Sequence, residues 1–341
     1  MFGGHYALLI SVKMKRDLYW DSLKFVLIFL VVYGHIAPHY AEDSRFNMAI
    51  YNLIYLFHMP LFIFVSGRFS LIRDRERYMK GILRLLETYI VFQIIRTTIP
   101  LLLGGEFTFK CITTPNWILW YLVALIYWRL MVYFVPERIL KQRKKVLLMS
   151  FCISLVAGFI PIGYPFVVQR TLSFLPFFVM GYYSSEVDMQ KYINKIPCFL
   201  AVSVLVIAFM LLFFVLDIDL AHVHHGSFPY WHDKTFYTLL YFGARCIFIL
   251  SAIILGIIVM RLVPTNATIA KWGCETMFIF IYHSFAVNAL DAIIKRAWIP
   301  QNEFLLFVYA VIITWGLLIL AHFAPLKILL NPISYYRNNK K

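Results

Sequence analysis

Long apolar runs separated by short polar, mostly basic stretches organise this chain. Ten such runs fall at about 18–38, 48–66, 82–103, 116–134, 146–161, 166–184, 198–216, 236–260, 273–290 and 304–323. A helix of about 20 apolar residues crosses a hydrocarbon core roughly 30 Å thick. The runs are continuous, as from Phe25 to Val32 and from Ile247 to Met260, and do not alternate as the strands of a membrane barrel do. A helix in lipid satisfies its own backbone polar groups. The pattern therefore predicts an all-α membrane protein, a polytopic bundle of about ten transmembrane helices. The fifth and sixth runs are separated only by Pro161-Ile162-Gly163-Tyr164-Pro165, a turn-like breaker that also suits a single re-entrant hairpin. Neither an internal repeat nor a low-complexity linker is visible. One membrane domain is expected over 1–341, with short tails at 1–16 and 325–341.

Composition narrows the class. Of 341 residues, 62% are hydrophobic and only 14% charged, against about 25% charged in ordinary soluble domains. That excludes a soluble globular protein, a disordered chain and a coiled coil. Net charge is +15, which is resolved by where the basic residues fall. With the N-terminus placed in the cytoplasm, 22 Lys and Arg fall in the cytoplasmic pieces and 6 on the opposite side. Lys24, Arg96, Arg129 and Arg245 lie within spans. This positive-inside asymmetry predicts both termini in the cytoplasm and an even number of spans. It makes the basic loops topology signals and contacts for anionic lipid rather than a nucleic-acid surface. The first run carries Lys24 and His35 and is not followed by a small-x-small cleavage site, so it reads as a retained span. Cys111, Cys152, Cys198, Cys246 and Cys274 are scattered, which argues against a disulfide framework or a cysteine zinc site.

Ionisable groups within spans are costly and mark functional sites. In the first run, Lys24 and His35 are eleven residues apart, which returns to within about 20° of the same helix face, about 16 Å further along the axis. Asp21 lies three residues before Lys24, within pairing reach, and Asp17 extends the stripe. The bland alternative is a snorkelling lysine and a satisfied interior histidine. The second run holds His58, then Pro60, which kinks a helix, and closes on Ser66-Gly67. Arg84 and Glu87 are spaced to pair at the start of the third run. Trp117 and Trp120 open the fourth, where aromatic residues also form interfacial belts. His283 sits in the ninth. Three histidines on three spans are expected to gather around one polar cavity. The loop 217–234 carries His222, His224, His225 and His232 beside Asp217, Asp219 and Asp233. It reads as a solvated loop, as part of an acceptor mouth or, least well, as a metal site, since its spacing fits no familiar one. No metal is expected.

These residues together resemble the integral-membrane acyltransferase-3 family, and within it the fucose-4-O-acetylase-like branch. That family carries a basic residue, ten residues, then histidine in its first span, as Lys24 to His35 do. A His-Met-Pro followed by a phenylalanine-rich stretch closing on Ser-Gly matches His58 to Gly67. Leu119 to Leu122, Phe177 to Tyr182 and Phe280 to His283 match later motifs in the expected order, so the similarity covers nearly the whole chain. Thr88-Tyr89 stands where a Pro-Tyr is common, Glu275 where Asn or Ser is, and the late histidine is shifted.

The resemblance implies transfer of an acyl group, acetyl above all, from cytoplasmic acyl-CoA to a hydroxyl of a cell-envelope sugar, polysaccharide or glycolipid. It also implies a multi-pass protein of the plasma membrane, bacterial in the main. Such transfer needs a base near the reacting oxygen and donors for the developing oxyanion. His35 is the expected base or transient acyl carrier, with Lys24 and Asp21 completing the catalytic set. His58, Ser66, Trp117, Trp120 and His283 are expected around the substrate. Arg84, Arg77 and Lys80 are expected at the phosphates of acetyl-CoA, since guanidinium and ammonium groups suit phosphate. A transporter or flippase of a sugar or lipid-linked substrate is the competing class, although carriers often show repeated halves and none is visible.

Overall fold

The computed structural model describes residues 17–37, 44–215, 220–230, 235–297 and 302–339. Among these, ten helices of fourteen residues or more follow the ten apolar runs, and there is no strand. They are α1 (Leu18–Ile36), α2 (Arg45–Arg68), α3 (Arg75–Leu102), α4 (Trp120–Phe134), α5 (Arg143–Val156), α6 (Val168–Ser184), α7 (Cys198–Phe214), α8 (Thr235–Leu262), α9 (Thr276–Ala297) and α10 (Glu303–Leu320). Four of their starts are set by short polar side chains that accept free backbone N–H groups. Asp17, Ser44, Asp74 and Asn302 cap α1, α2, α3 and α10 in this way. Seven of the described helices are long and apolar enough to cross a membrane on length and composition. α5, α6 and α7 are shorter, with 14, 17 and 17 residues. At 1.5 Å per residue they reach roughly 21–26 Å. The breaker between α5 and α6 reverses the chain through Phe166 and Val167, both at positive φ (51° and 61°), and the two helices pack on each other.

The bundle is apolar on its outside as well as in its core. Ile94, Ile207, Ile247, Ile312 and Ile319 are exposed on its outside, where lipid chains would lie, while Asn47, Asn52, His58, His283 and Thr314 are buried. α1 is the central element: it packs on α2, α9, α10 and the short helix Ala267–Gly273. That last contact is close because Gly273 has no side chain; a Cβ there would strike the carbonyl of Asp21. The tightest crossing is α2 on α6. Gly67 faces the backbone of Phe178, and Gly181 faces the carbonyl of Phe64, so each glycine admits the other helix's main chain.

Two expectations near the basic end change. The segment around Arg77, Lys80 and Arg84 is helix rather than loop, because Asp74 accepts the N–H of Arg77 (2.8 Å) and Glu76 pairs with Lys80 one turn on (2.5 Å). Glu87 does not serve Arg84. It accepts the backbone N–H of Ser334 (3.1 Å) and the Ser334 hydroxyl (2.6 Å), capping the helix Pro332–Asn339. Thr88 adds a hydroxyl bond to the Leu330 carbonyl (2.9 Å), and Lys327 pairs with Glu275 (2.8 Å). The tail is thus docked on α3 and on the junction before α9.

Candidate active site

The polar stripe of α1 divides into two ends. At the first end, Lys24 Nζ meets Asp21 Oδ1 at 2.5 Å and lies over the Phe69 ring (5.3 Å). Nearby, Arg68 stacks on Trp20 (4.4 Å) and donates to the carbonyls of Ser184 and Val187. Every charge named at this end has a partner, so it ties α1, α2 and α6 together. Asp21 and Lys24 are therefore not gathered with His35, which lies two-thirds of the helix away.

At the second end lies a cavity of about 360 Å³. His35, His58, Trp117 and Trp120 line it. His35 sits against His283, ring centroids 5.2 Å apart, and edge-on to Trp117 (4.9 Å). His283 is fully buried. Its Nδ1 lies 3.1 Å from the Ile279 carbonyl, which only accepts, so Nδ1 carries the proton. Its Nε2 has no protein partner. His58 is held the same way, Nδ1 donating to the Ile54 carbonyl at 2.8 Å. Trp117 adopts φ 37°, a left-handed value unusual for a residue with a side chain, in the turn that opens α4. That turn aims its indole at His35 rather than into an interfacial belt. Ser66 stands apart: its Oγ bonds Tyr121 Oη (2.5 Å), a link between α2 and α4.

Further groups join the cavity, and of these only His224 and His225 were singled out along the chain. Tyr51 and Tyr55 line it from α2. With His58 they lie at i, i+4 and i+7, a helical stripe that was readable. Arg170 lines it from the first turn of α6, over the Trp120 ring (4.8 Å) and donating to Ser227 Oγ (2.9 Å). His224 and His225 reach it from the histidine-rich loop. His224 is held well below the ordinary imidazole pKa, first by burial and then by His225, His58 and Arg170. Asp217, Asp219, His232 and Asp233 lie outside the described residues, as do Lys13, Lys15 and Arg16. Among the described residues, no three His, Cys, Asp or Glu side chains are grouped to hold a metal ion.

The basic residues expected at the donor lie on α3, away from this cavity. Arg77 is 88% exposed, Lys80 is exposed and paired with Glu76, and Arg84 is exposed. None lines the cavity. A second cavity of about 380 Å³ does open near the start of α3, where Arg75 lies over Tyr133 (4.3 Å) beside Lys141 and Arg143.

Two relatives each match a short part of the chain. One is the nodulation protein NolL of Sinorhizobium fredii (strain NBRC 101917 / NGR234), 43% identical over 56 residues. The other is the nodulation protein NolL of Mesorhizobium japonicum (strain LMG 29417 / CECT 9101 / MAFF 303099), 42% identical over 59 residues. Each match covers 16% of this chain, and they cover only 15% and 16% of those relatives' own lengths. No solved structure matches. The acyltransferase domain, by contrast, matches residues 17–322, which include both ends of α1, the cavity and every helix from α1 to α10. The chain is a polytopic helical membrane protein and belongs to the acyltransferase-3 family.

Proposed function

We propose that the chain is a membrane O-acyltransferase that moves an acetyl group from cytoplasmic acetyl-CoA to a hydroxyl of a cell-envelope sugar, polysaccharide or glycolipid. The observation that carries this reading is the imidazole pair. His35 lies against a buried His283 whose Nε2 is free, at the wall of a cavity lined by indole and phenol rings. A neutral imidazole is a competent base near pH 7. In the reaction the acceptor oxygen bonds to the thioester carbon, His35 takes the hydroxyl proton, and the carbon–sulfur bond breaks to release the CoA thiolate. His35 serves equally as the first nucleophile, forming an acyl-imidazole that the hydroxyl then attacks; both routes begin at the same ring nitrogen. Aromatic walls suit the apolar faces of a sugar ring.

Sidedness follows from charge. The Lys24 end shares its side with the basic residues of α3 and faces the cytoplasm, and the cavity faces the opposite side. The nucleotide part of acetyl-CoA then meets the groove at Arg75 and Tyr133, which offers a cation and a ring to stack on, better than Arg77, Lys80 and Arg84. The family favours acyl transfer over carriage of a sugar or lipid, and the bacterial relatives fit a bacterial plasma membrane. The test is acetyl-labelled acetyl-CoA with membranes holding the protein: label enters glycan or glycolipid with wild type and not with His35→Ala. Solute uptake without label transfer overturns the proposal.

A further inference from the structure

On the reading that the acceptor enters the cavity, the chemistry of its far wall narrows what the acceptor is. His224 is 4% exposed, lines the cavity, and neither ring nitrogen has a protein partner. Its backbone is held in place. Arg245 donates to the Val223 carbonyl (3.3 Å) beside it and to the Ser173 carbonyl (2.7 Å). Gly226, at φ 65°, lets the loop lie against Phe174, where a Cβ would collide. A buried imidazole with two open nitrogens is a costly arrangement unless a ligand completes it. Held neutral by its surroundings, His224 offers one donor and one acceptor, the pair a sugar hydroxyl uses.

Arg170 adds charge to the same wall. Its guanidinium lies over Trp120 and is held by Ser227, and the groups around it are hydroxyls and rings. No Asp or Glu among the described residues lines the cavity. Behind Trp117, Arg96 stacks on the other indole (5.5 Å), and its Nε and Nη2, the forked edge that fits a carboxylate or phosphate, have no partner. Among the described residues, two guanidinium groups without a facing acid give this end a positive field. With the donor's nucleotide at the Arg75 groove, on the Lys24 side, its phosphates do not account for it, since Lys24 and His35 are about 16 Å apart along the helix.

We infer that this cavity is an acceptor subsite selective for a sugar carrying an anionic group, phosphate or carboxylate, with Arg170 taking the anion and His224 a neighbouring hydroxyl. Arg96 strengthens the field without touching the ligand.

Full-length protein in lipid nanodiscs is titrated with glucose 1-phosphate, glucuronate, methyl glucoside and CoA, following tryptophan fluorescence, since Trp117 and Trp120 line the cavity. The two anionic sugars are expected to bind at least about tenfold more tightly than methyl glucoside, and the tighter of the two names the anion. Arg170→Gln should remove that preference and Arg170→Lys retain part of it. His224→Ala should weaken all three sugars several-fold. Equal binding of methyl glucoside, or a preference that survives Arg170→Gln, overturns the inference. So does Arg170→Gln weakening CoA and leaving the anionic sugars unchanged, since the wall then serves the donor. Label transfer from acetyl-CoA is scored separately: its absence beside an intact anion preference sinks the acyl-transfer reading and leaves the anionic-sugar subsite standing.

Discussion

The two ends of α1 contain similar residue types and do opposite things with them. At the Asp21–Lys24 end, carboxylate and ammonium neutralise each other at 2.5 Å, and Arg68 beside them is used up by ring and carbonyl contacts. At the His35 end, imidazoles and the Arg170 guanidinium line a cavity beside polar atoms left unfilled. Buried polar groups are ordinarily satisfied. The charges of the first end are thus already paired, and the second end keeps open polar atoms. A shared helix face says only that two residues look the same way. Whether they act or merely hold depends on what the neighbouring helices supply.

The contrast breaks most directly at His35. His35→Ala should cut label transfer from acetyl-CoA by about 10²–10⁴-fold, the range of a lost general base, while thermal unfolding of the purified protein barely moves. A variant that unfolds instead would make this end structural. Gly181→Val should destabilise by about 1–3 kcal/mol or more, because its side chain meets the Phe64 carbonyl, which cannot turn aside. The control is Gly243→Ala, which has open space and should leave the melting temperature unchanged. Lys24→Ala strands the buried Asp21 carboxylate and should cost about 1–3 kcal/mol. Adding Asp21→Asn should restore part of that loss, and a fully additive double variant would show that the pair does not act as one unit. Smaller still, Arg75→Ala should raise the acetyl-CoA concentration for half-maximal transfer several-fold, and Arg84→Ala by less than about twofold, as measured in steady state.

The mildest effect is with pH. His224 has a folded pKa below its ordinary 6.5, so the unfolded chain takes up a proton first as pH falls. Its contribution to stability is whole above about pH 6.5 and fades below it. The melting temperature should drop by a few degrees between about pH 7.5 and pH 5, and His224→Gln should flatten that drop.

Much of this was legible along the chain. The ten apolar runs are ten helices in order, and the eleven-residue step from Lys24 to His35 does separate the two ends of one helix. His35 and His58 were legible because polar groups in lipid point inward, whereas Trp117 and Trp120 were expected there only through the family resemblance. Arg77, Lys80 and Arg84 lie outside the His35 cavity, and a basic cluster reads alike along the chain whether it binds phosphate or only marks a membrane side. Glu87 misled because its partner at Ser334 lies far along the chain, and no local spacing announces it.

What the sequence alone determined is the class of architecture and the identity of the residues in the stripe. Both follow from local rules: apolar length against bilayer thickness, and an angle of 100° per residue. What only the tertiary structure decided is which polar atoms are already used. Lys24 is neutralised by Asp21, whereas His283 Nε2 and both nitrogens of His224 are left open. Arg170, seemingly an outer-loop charge, faces the same cavity from α6. Satisfaction of a hydrogen-bonding group is a property of its whole surroundings, set by α2, α6, α8, α9 and the loop at His224 together. Those segments are distant in sequence and meet only when helices cross as closely as Gly67 and Gly181 allow.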